Sequence, residues 1–297
     1  MEKLLLIVNP QAGQRKACRH LADIIDIFNR SGYAVITHIT SCAGDGEQAI
    51  IRYAEETGLV VCCGGDGTFT ETISGVLKSG KNIPIGYIPC GSTNDYASTL
   101  NLSTDLVHAA YDIVSGRNII LDVGTFNGRY FSYAASFGMF TKTSYSTPQE
   151  MKNIMGRAAY ILNSAQELSQ IKTYRVRVEL DNGQIIEDDF IFGAISNSTR
   201  LGGVLNFSSG TVDMSDGLFE VLLARKPKDR NEVVECIQAM RRKTYQCAMV
   251  TFVKASRMTI VAPENMDWTL DGEKAHGERN ITIECLNKAF QLRCRSI

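Results

Sequence analysis

Three short runs combine glycine with side chains that can hold a phosphate or a metal ion: Asn9-Pro10-Gln11-Ala12-Gly13, Gly64-Gly65-Asp66-Gly67-Thr68 and Pro89-Cys90-Gly91-Ser92-Thr93-Asn94-Asp95. Glycine lets backbone N–H groups approach phosphate oxygens, and a helix N-terminus beyond the loop adds a favourable dipole. An aspartate in such a loop can hold Mg2+ directly or through water. Two acidic runs lie far downstream, Asp213-Met214-Ser215-Asp216-Gly217-Leu218 and Leu270-Asp271-Gly272-Glu273. A carboxylate of this kind can take the proton of an attacking hydroxyl. The chain has neither GxxxxGK[ST] nor the Gly-rich loop, HRD and DFG set, so phosphate chemistry here must use other devices.

The elements that position these runs follow from hydrophobic spacing. Lys3–Val8 reads as a short buried strand, and Leu21, Ile24, Ile25 and Phe28 repeat as one helix face that Ser31-Gly32 closes. Strands are expected at Tyr33–Ile39, Leu59–Cys63 and Ile83–Ile88, with helices through Ala49, Ile50, Tyr53 and Ala54 and through Ile73, Val76 and Leu77. Thr68-Phe69-Thr70-Glu71 has the spacing of a capping box. Alternation of strand and helix predicts an open parallel α/β sheet, and all three glycine loops then fall at carboxyl ends of strands, where such sheets bind ligands.

The texture changes near Gly124. Asn127-Gly128 and Asp181-Asn182-Gly183 each separate strand-like runs, the latter Tyr174–Leu180 and Gln184–Ile195, and predict hairpins. Further strands are expected at Leu218–Ala224, Met258–Ala262 and Ile281–Cys285, with helices at about 148–168 and 230–240. The division is thus an α/β domain over 1–124 and a mainly antiparallel β domain over 125–297, whose last residues can pack back on the first.

With 297 residues, 44% of them hydrophobic and 21% charged, the chain suits two folded domains rather than disorder. No apolar run reaches the ~18 residues of a membrane span. Leu4–Val8 is too short for a signal segment. Nine cysteines without a CxxC pair predict reduced thiols and a cytoplasmic setting. A net charge of -1 excludes non-specific nucleic-acid binding as the default. Residues 1–124 carry 9 basic and 13 acidic groups and residues 125–297 carry 22 and 19, an asymmetry that would favour an anionic membrane under the second half.

Gly-Gly-Asp-Gly-Thr at 64–68 with Gly-Ser-Thr-Asn-Asp at 91–95 resembles the catalytic domain of diacylglycerol kinases and their bacterial relatives, a family that includes sphingosine kinases. The resemblance continues in order through Ser196-Asn197 near Gly202-Gly203, the 213–218 run and Leu270–Glu273. It implies an ATP-binding α/β domain and a lipid-substrate β-sandwich domain, with chemistry in the cleft between them. It implies that Asn9 and Gly13 line the nucleotide phosphates, that Thr40 sits beside the nucleotide, and that Gly65, Asp66, Gly67, Thr68 and Glu71 form the nucleotide loop. Asp66 would be central to Mg2+-ATP. Ser92, Asn94 and Asp95 would complete the cleft, with Asp122 joining Asp66 and Asp95 in an acidic network. Asp213, Asp216 and Leu218 would hold a structural Mg2+, and Glu273 would be the general base. Ser92 stands where threonine is commoner, and Thr199-Arg200-Leu201 departs from the family's small-residue run.

From the residues alone, Asp213-x-x-Asp216-Gly217 also suits an ordinary turn, Asp122 a strand-end cap, and Glu273 a solvated turn position. The expected function is ATP-dependent phosphorylation of a neutral membrane lipid, diacylglycerol ahead of sphingoid or polyprenol acceptors, reached by transient contact at the inner membrane surface. An NAD-kinase-like soluble acceptor and a non-catalytic nucleotide sensor are the alternatives, and a homodimer is left open.

Overall fold

The computed structural model describes residues 1–138, 172–201, 205–206, 210–242, 244–245, 247–264 and 266–295. Contacts divide the chain into two units, residues 1–123 with 287–297, and residues 124–286. The helix expected over 148–168 and the Gly202-Gly203 pair lie outside the described residues.

The first unit grows from apolar strands too continuous to face water. It contains β1 (Glu2–Val8), α1 (Lys16–Arg19), α2 (Leu21–Arg30), β2 (Tyr33–Ile39), α3 (Asp45–Tyr53), β3 (Leu59–Gly64), α4 (Asp66–Lys78), β4 (Ile85–Pro89), α5 (Asp95–Thr99), α6 (Leu106–Ser115) and the start of β5 (Arg117–Phe126). The four strands pair in parallel in the order β4-β3-β1-β2, with Leu4 opposite both Val35 and Leu59, and Val60 opposite Ile85. Every residue of β3 and β4 is buried, as a sheet covered on both faces requires. α2 and α6 cover one face around Phe28, Ile24, Leu106 and Ile113. Gly32, at φ +90°, ends α2 as expected.

The second unit is antiparallel. It contains β6 (Arg129–Phe131), β7 (Ala134–Gly138), β8 (Tyr174–Leu180), β9 (Ile185–Ser196), β10 (Arg200–Leu201), β11 (Leu205–Asn206), β12 (Phe219–Arg225), α7 (Arg230–Arg241), β13 (Val250–Ala255), β14 (Arg257–Val261), β15 (Asp267–Leu270), β16 (Glu273–His276) and the first half of β17 (Asn280–Cys294). The strand order is β16-β15-β7-β9-β8-β14-β17, with β12 and β13 branching from β9 to build a β-sandwich. Its core is aromatic. Trp268 packs against Phe126 at 5.1 Å and Phe137 at 4.9 Å between ring centroids, and Phe131 stacks on Phe219.

Both hairpin signals are realised. Asn127 (φ +47°) and Gly128 (φ +82°) join β5 to β6, and Gly183 (φ +81°) turns β8 into β9. The positive φ values are those that short hairpin turns demand. The last strand is much longer than the expected Ile281–Cys285. It passes a positive φ at Lys288 and continues to Cys294, where Leu292 pairs with Ile85 in the first unit.

Candidate active site

The three glycine loops converge at the carboxyl ends of β1, β3 and β4. Gly13 has φ +54°, and a Cβ there would lie 1.9 Å from the Cys90 carbonyl oxygen, so only glycine lets the first loop pass the third. A Cβ on Gly91 would lie 2.7 Å from Gly65 Cα, so the second and third loops touch backbone to backbone. Asn9 Nδ2 donates to Thr68 Oγ1 at 3.0 Å, while its Oδ1 accepts from Gln11 N at 3.0 Å. Asn94 takes a left-handed conformation, φ +51°, and clamps its own loop by exchanging hydrogen bonds with Gly91 N and O.

Asp66 begins α4, and its carboxylate reaches the next helix. It accepts from Asp95 N at 3.0 Å, Tyr96 N at 3.4 Å and Tyr87 Oη at 3.4 Å. Two of these donors are the first backbone amides of α5, which have no partner within that helix. Burial, and then the adjacent Asp66 charge, push the Tyr87 phenol up, which keeps it a donor. Tyr87 stacks on Phe69 at 4.2 Å, so the α4 end of the arrangement is braced by aromatic packing. Glu71 does not form the expected capping box. Gly65 is the N-cap with no side-chain bond, and Glu71 Oε1 instead accepts from Gly44 N at 2.9 Å, tying α4 to the loop before α3.

The other expected nucleotide-site residues fall around these loops. Thr40 follows β2 and donates through both N and Oγ1 to Val8 O. Gly67 and Thr68 lie in the first turn of α4, Ser92 is exposed, and Asp95 is 4% exposed at the start of α5. Asp122 is wholly buried, and accepts from Lys288 N at 2.6 Å and Asn287 Nδ2 at 3.2 Å, which fixes the returning end of the chain. Cys63 and Cys90 lie with their sulfur atoms 3.9 Å apart beneath the loops.

In the second unit, Asp213 Oδ1 accepts from Ser215 N and Oγ, and Asp216 Oδ1 accepts from Leu218 N at 2.9 Å. These are local side-chain turns. Lys254 Nζ lies 3.3 Å from Asp216 Oδ2 and 2.9 Å from Glu220 Oε1. Burial pushes the wholly enclosed Glu220 up to about 7 although Lys254 pulls the other way. The oxygen donors suit Mg2+ in kind, but the lysine already supplies positive charge there. Among the described residues no three His, Cys, Asp or Glu side chains gather around a metal position.

Glu273 opens β16 directly after a two-residue turn. Asp271 has φ +51° and Gly272 has φ +81°, and Leu270 pairs with Glu273 across the turn. The Glu273 side chain is 63% exposed and stands 3.6 Å from Arg129. Asp271 does the anchoring. Its carboxylate accepts from Ser132 N at 2.6 Å, Ser132 Oγ at 3.0 Å, Tyr133 N at 2.9 Å and Ala134 N at 3.0 Å. Three successive amides converging on one carboxylate make a small anion nest. Asp271 and Tyr87 are thus supporting residues that motif reading does not single out. Tyr87 carried no signal, while Asp271 carried only its place before Gly272.

The description "Diacylglycerol kinase catalytic domain" matches residues 3–126, and "YegS C-terminal NAD kinase beta sandwich-like domain" matches residues 136–294. A diacylglycerol kinase of Bacillus subtilis (strain 168) is 29% identical over 275 residues, 92% of this chain and 90% of its own. A diacylglycerol kinase of Staphylococcus carnosus (strain TM300) is 28% identical over 271 residues, 90% and 87% of the two chains. The crystal structure of a diacylglycerol kinase from Bacillus anthracis strain Sterne has the same fold, with a TM-score of 0.74 at 24% identity over 99% of this chain and 97% of that one. With both halves matched in order along nearly its whole length, the chain belongs to the diacylglycerol kinase catalytic-domain family, in the form that carries the YegS-type C-terminal β-sandwich.

Proposed function

We propose that this protein is a lipid kinase that moves the γ-phosphate of Mg2+-ATP to the primary hydroxyl of diacylglycerol, giving phosphatidic acid. The observation that carries the reading is the convergence of three glycine loops on Asp66 at the carboxyl edge of the parallel sheet. Backbone amides there suit the nucleotide phosphates, and Asp66 with Asp95 suits the Mg2+ that travels with them. Phosphoryl transfer then needs mainly positioning and electrostatic stabilisation. Glu273 is the proposed base. A primary hydroxyl is a weak nucleophile, and a carboxylate that takes its proton during attack raises the rate. A structural Mg2+ at Asp213, Asp216 and the Leu218 carbonyl is part of the proposal. No described helix is long and apolar enough to cross a membrane, so the reading has the lipid met by transient contact at the bilayer surface.

The test is Glu273→Gln, assayed with Mg2+-ATP and diacylglycerol, sphingosine, ceramide or polyprenol in mixed micelles, beside NAD in solution. The variant should lose more than ~99% of lipid turnover, an effect at the lower end of what a general base supplies, with the KM for ATP unchanged. Its melting temperature should hold, because an exposed ion pair such as Arg129–Glu273 contributes little to stability. Retained turnover removes Glu273 from the mechanism. Efficient phosphorylation of NAD with no lipid product would replace the acceptor, and preference for another lipid would replace diacylglycerol alone.

A further inference from the structure

Asn197 is wholly buried, and among the described residues neither its Nδ2 nor its Oδ1 has a hydrogen-bond partner. A carboxamide offers two N–H donors and a carbonyl acceptor. Enclosing one with nothing to bind destabilises a fold relative to an apolar side chain of similar size. Folded proteins contain few such groups, and each asks for a specific cause. The surroundings do not supply a structural one. The serines on either side are satisfied by backbone carbonyls: Ser196 Oγ donates to Tyr133 O at 3.1 Å, and Ser198 Oγ donates to Arg200 O at 2.9 Å. The backbone of Asn197 is also fixed, its N–H donating to Tyr133 O at 2.9 Å. Only the side chain is left over.

Its place in the sheet gives it a use. Tyr133, whose carbonyl holds Asn197, gives its own N–H to Asp271, the residue that anchors the Glu273 turn. Reading across the strands, Glu273 pairs with Leu270, Leu270 with Ala135, and Ala135 with Ile195. Glu273 therefore stands three strand spacings, roughly 14 Å, from Ile195, and Asn197 lies two residues beyond Ile195 at the same end of the sheet. Two side chains, two hydrogen bonds of about 2.9 Å and the few bonds between a glycerol hydroxyl and its neighbouring ester carbonyl fill such a span.

We infer that Asn197 is a specificity residue for the acceptor, its Nδ2 donating to the ester carbonyl of the glycerolipid whose free hydroxyl faces Glu273. This rests on the lipid-kinase reading above and deepens it. The chemistry selects the ester. Glu273 offers oxygen acceptors and takes the hydroxyl proton, whereas the strong acceptor left on a neutral diacylglycerol is a carbonyl, which needs an N–H. An ether-linked dialkylglycerol keeps the hydroxyl and loses that carbonyl. A site built to bond a substrate group rejects the analogue without it, because its own buried polar atom is then left unsatisfied.

The experiment compares wild type and Asn197→Leu, as full chains, on 1,2-diacylglycerol and 1,2-dialkylglycerol in mixed micelles with Mg2+-ATP. Wild type should favour the diester in kcat/KM by at least ~10-fold, the worth of one good hydrogen bond to a buried donor. Asn197→Leu should lose that preference by slowing the diester and leaving the diether within about 2-fold, with the KM for ATP unchanged. Its lipid-free melting temperature should stay or rise, since an unsatisfied carboxamide has gone. Asn197→Ala gives the same kinetic comparison should leucine not be accommodated. An equal diester preference in wild type and variants overturns the inference while leaving the kinase reading standing. So does an equal loss on both lipids with a lowered melting temperature, which would make the carboxamide structural. Failure of wild type to phosphorylate either glycerolipid overturns the diacylglycerol reading, and this inference with it.

Discussion

Replacing Asp271 with alanine removes one carboxylate and with it the acceptor for four donors, at 2.6, 3.0, 2.9 and 3.0 Å. Three of the donors are backbone amides, which cannot rotate away. The position is 8% exposed, so water replaces the carboxylate poorly. Hydrogen bonds to a charged group are worth ~1.5–3 kcal/mol each in isolation, but four that share one carboxylate are not additive. A combined loss of about 4 kcal/mol is in line with breaking a buried charged network. Domains of this size lose about 2–4 °C per kcal/mol, so the melting temperature should fall by ~8–16 °C. Near-ultraviolet circular dichroism on heating, with urea midpoints as a second measure, reads this directly. Asp271→Asn should recover only part of the loss, because its NH2 turns a donor onto amides that also donate. In the folded fraction of either variant, kcat for lipid should fall while the KM for ATP holds, since the turn that presents Glu273 loosens and the nucleotide loops do not. A fall of less than ~1 kcal/mol would refute the reasoning, because the nest would then not be holding the turn.

Further expectations rest on other carboxylates. Asp66→Asn should raise the KM for Mg2+-ATP by at least ~10-fold and lower the melting temperature, because the same carboxylate accepts from the first amides of α5, and unaltered kinetics at limiting Mg2+ would remove Asp66 from the metal. Arg225 forks onto Glu232 at 2.6 and 3.0 Å and, with Lys228 N, holds its carboxyl down to about 2. A folded value below the unfolded one stabilises above pH ~4.5 and is lost as pH falls toward 2, so the deficit of Glu232→Gln should be largest at neutral pH and vanish in acid; a pH-independent deficit would contradict this. If Asp216 holds Mg2+, added Mg2+ should raise the melting temperature of wild type and not of Asp216→Asn, and equal shifts in both would exclude the site.

Much of the fold was legible because local chemistry and tertiary environment agree. Tyr33–Ile39 and Tyr174–Leu180 can be read to the residue, since apolar spacing and bounding turns mark the same limits. The two Asn-Gly hairpins follow from the positive φ their turns require. Reading failed where partners are remote. Thr68 and Glu71 have capping-box spacing, yet Gly44 N claims Glu71 and Asn9 claims Thr68, so tertiary bonds override the local motif. β17 looks finished at Cys285 because the polar run Asn287-Lys288 interrupts its alternation. Its continuation rests on Asn287 and Lys288 bonding Asp122, and Leu292 pairing beside β4.

The same distinction separates a motif from what its residues do. Asp66 and Asp271 each sit beside glycine in a short recognisable run, the setting in which an acid invites a chemical role. In the folded chain each has its oxygens turned onto backbone amides of a different segment: Asp95 and Tyr96 for Asp66, and Ser132, Tyr133 and Ala134 for Asp271. An amide can be supplied by any residue type except proline, so no side-chain pattern marks the segment that receives such a bond. What a motif preserves here is therefore one half of a clamp, and the other half is invisible until the chain is folded. Asn197 is the converse case. It belongs to a recognisable run, its backbone is clamped, and its side chain has no partner among the described residues. A clamp residue that is mutated should cost stability and activity together, whereas a side chain kept for a ligand should cost activity alone. Melting temperature read beside kcat/KM for Asp271→Ala and Asn197→Leu thus sorts the two kinds, and identical behaviour of the two variants would dissolve the distinction.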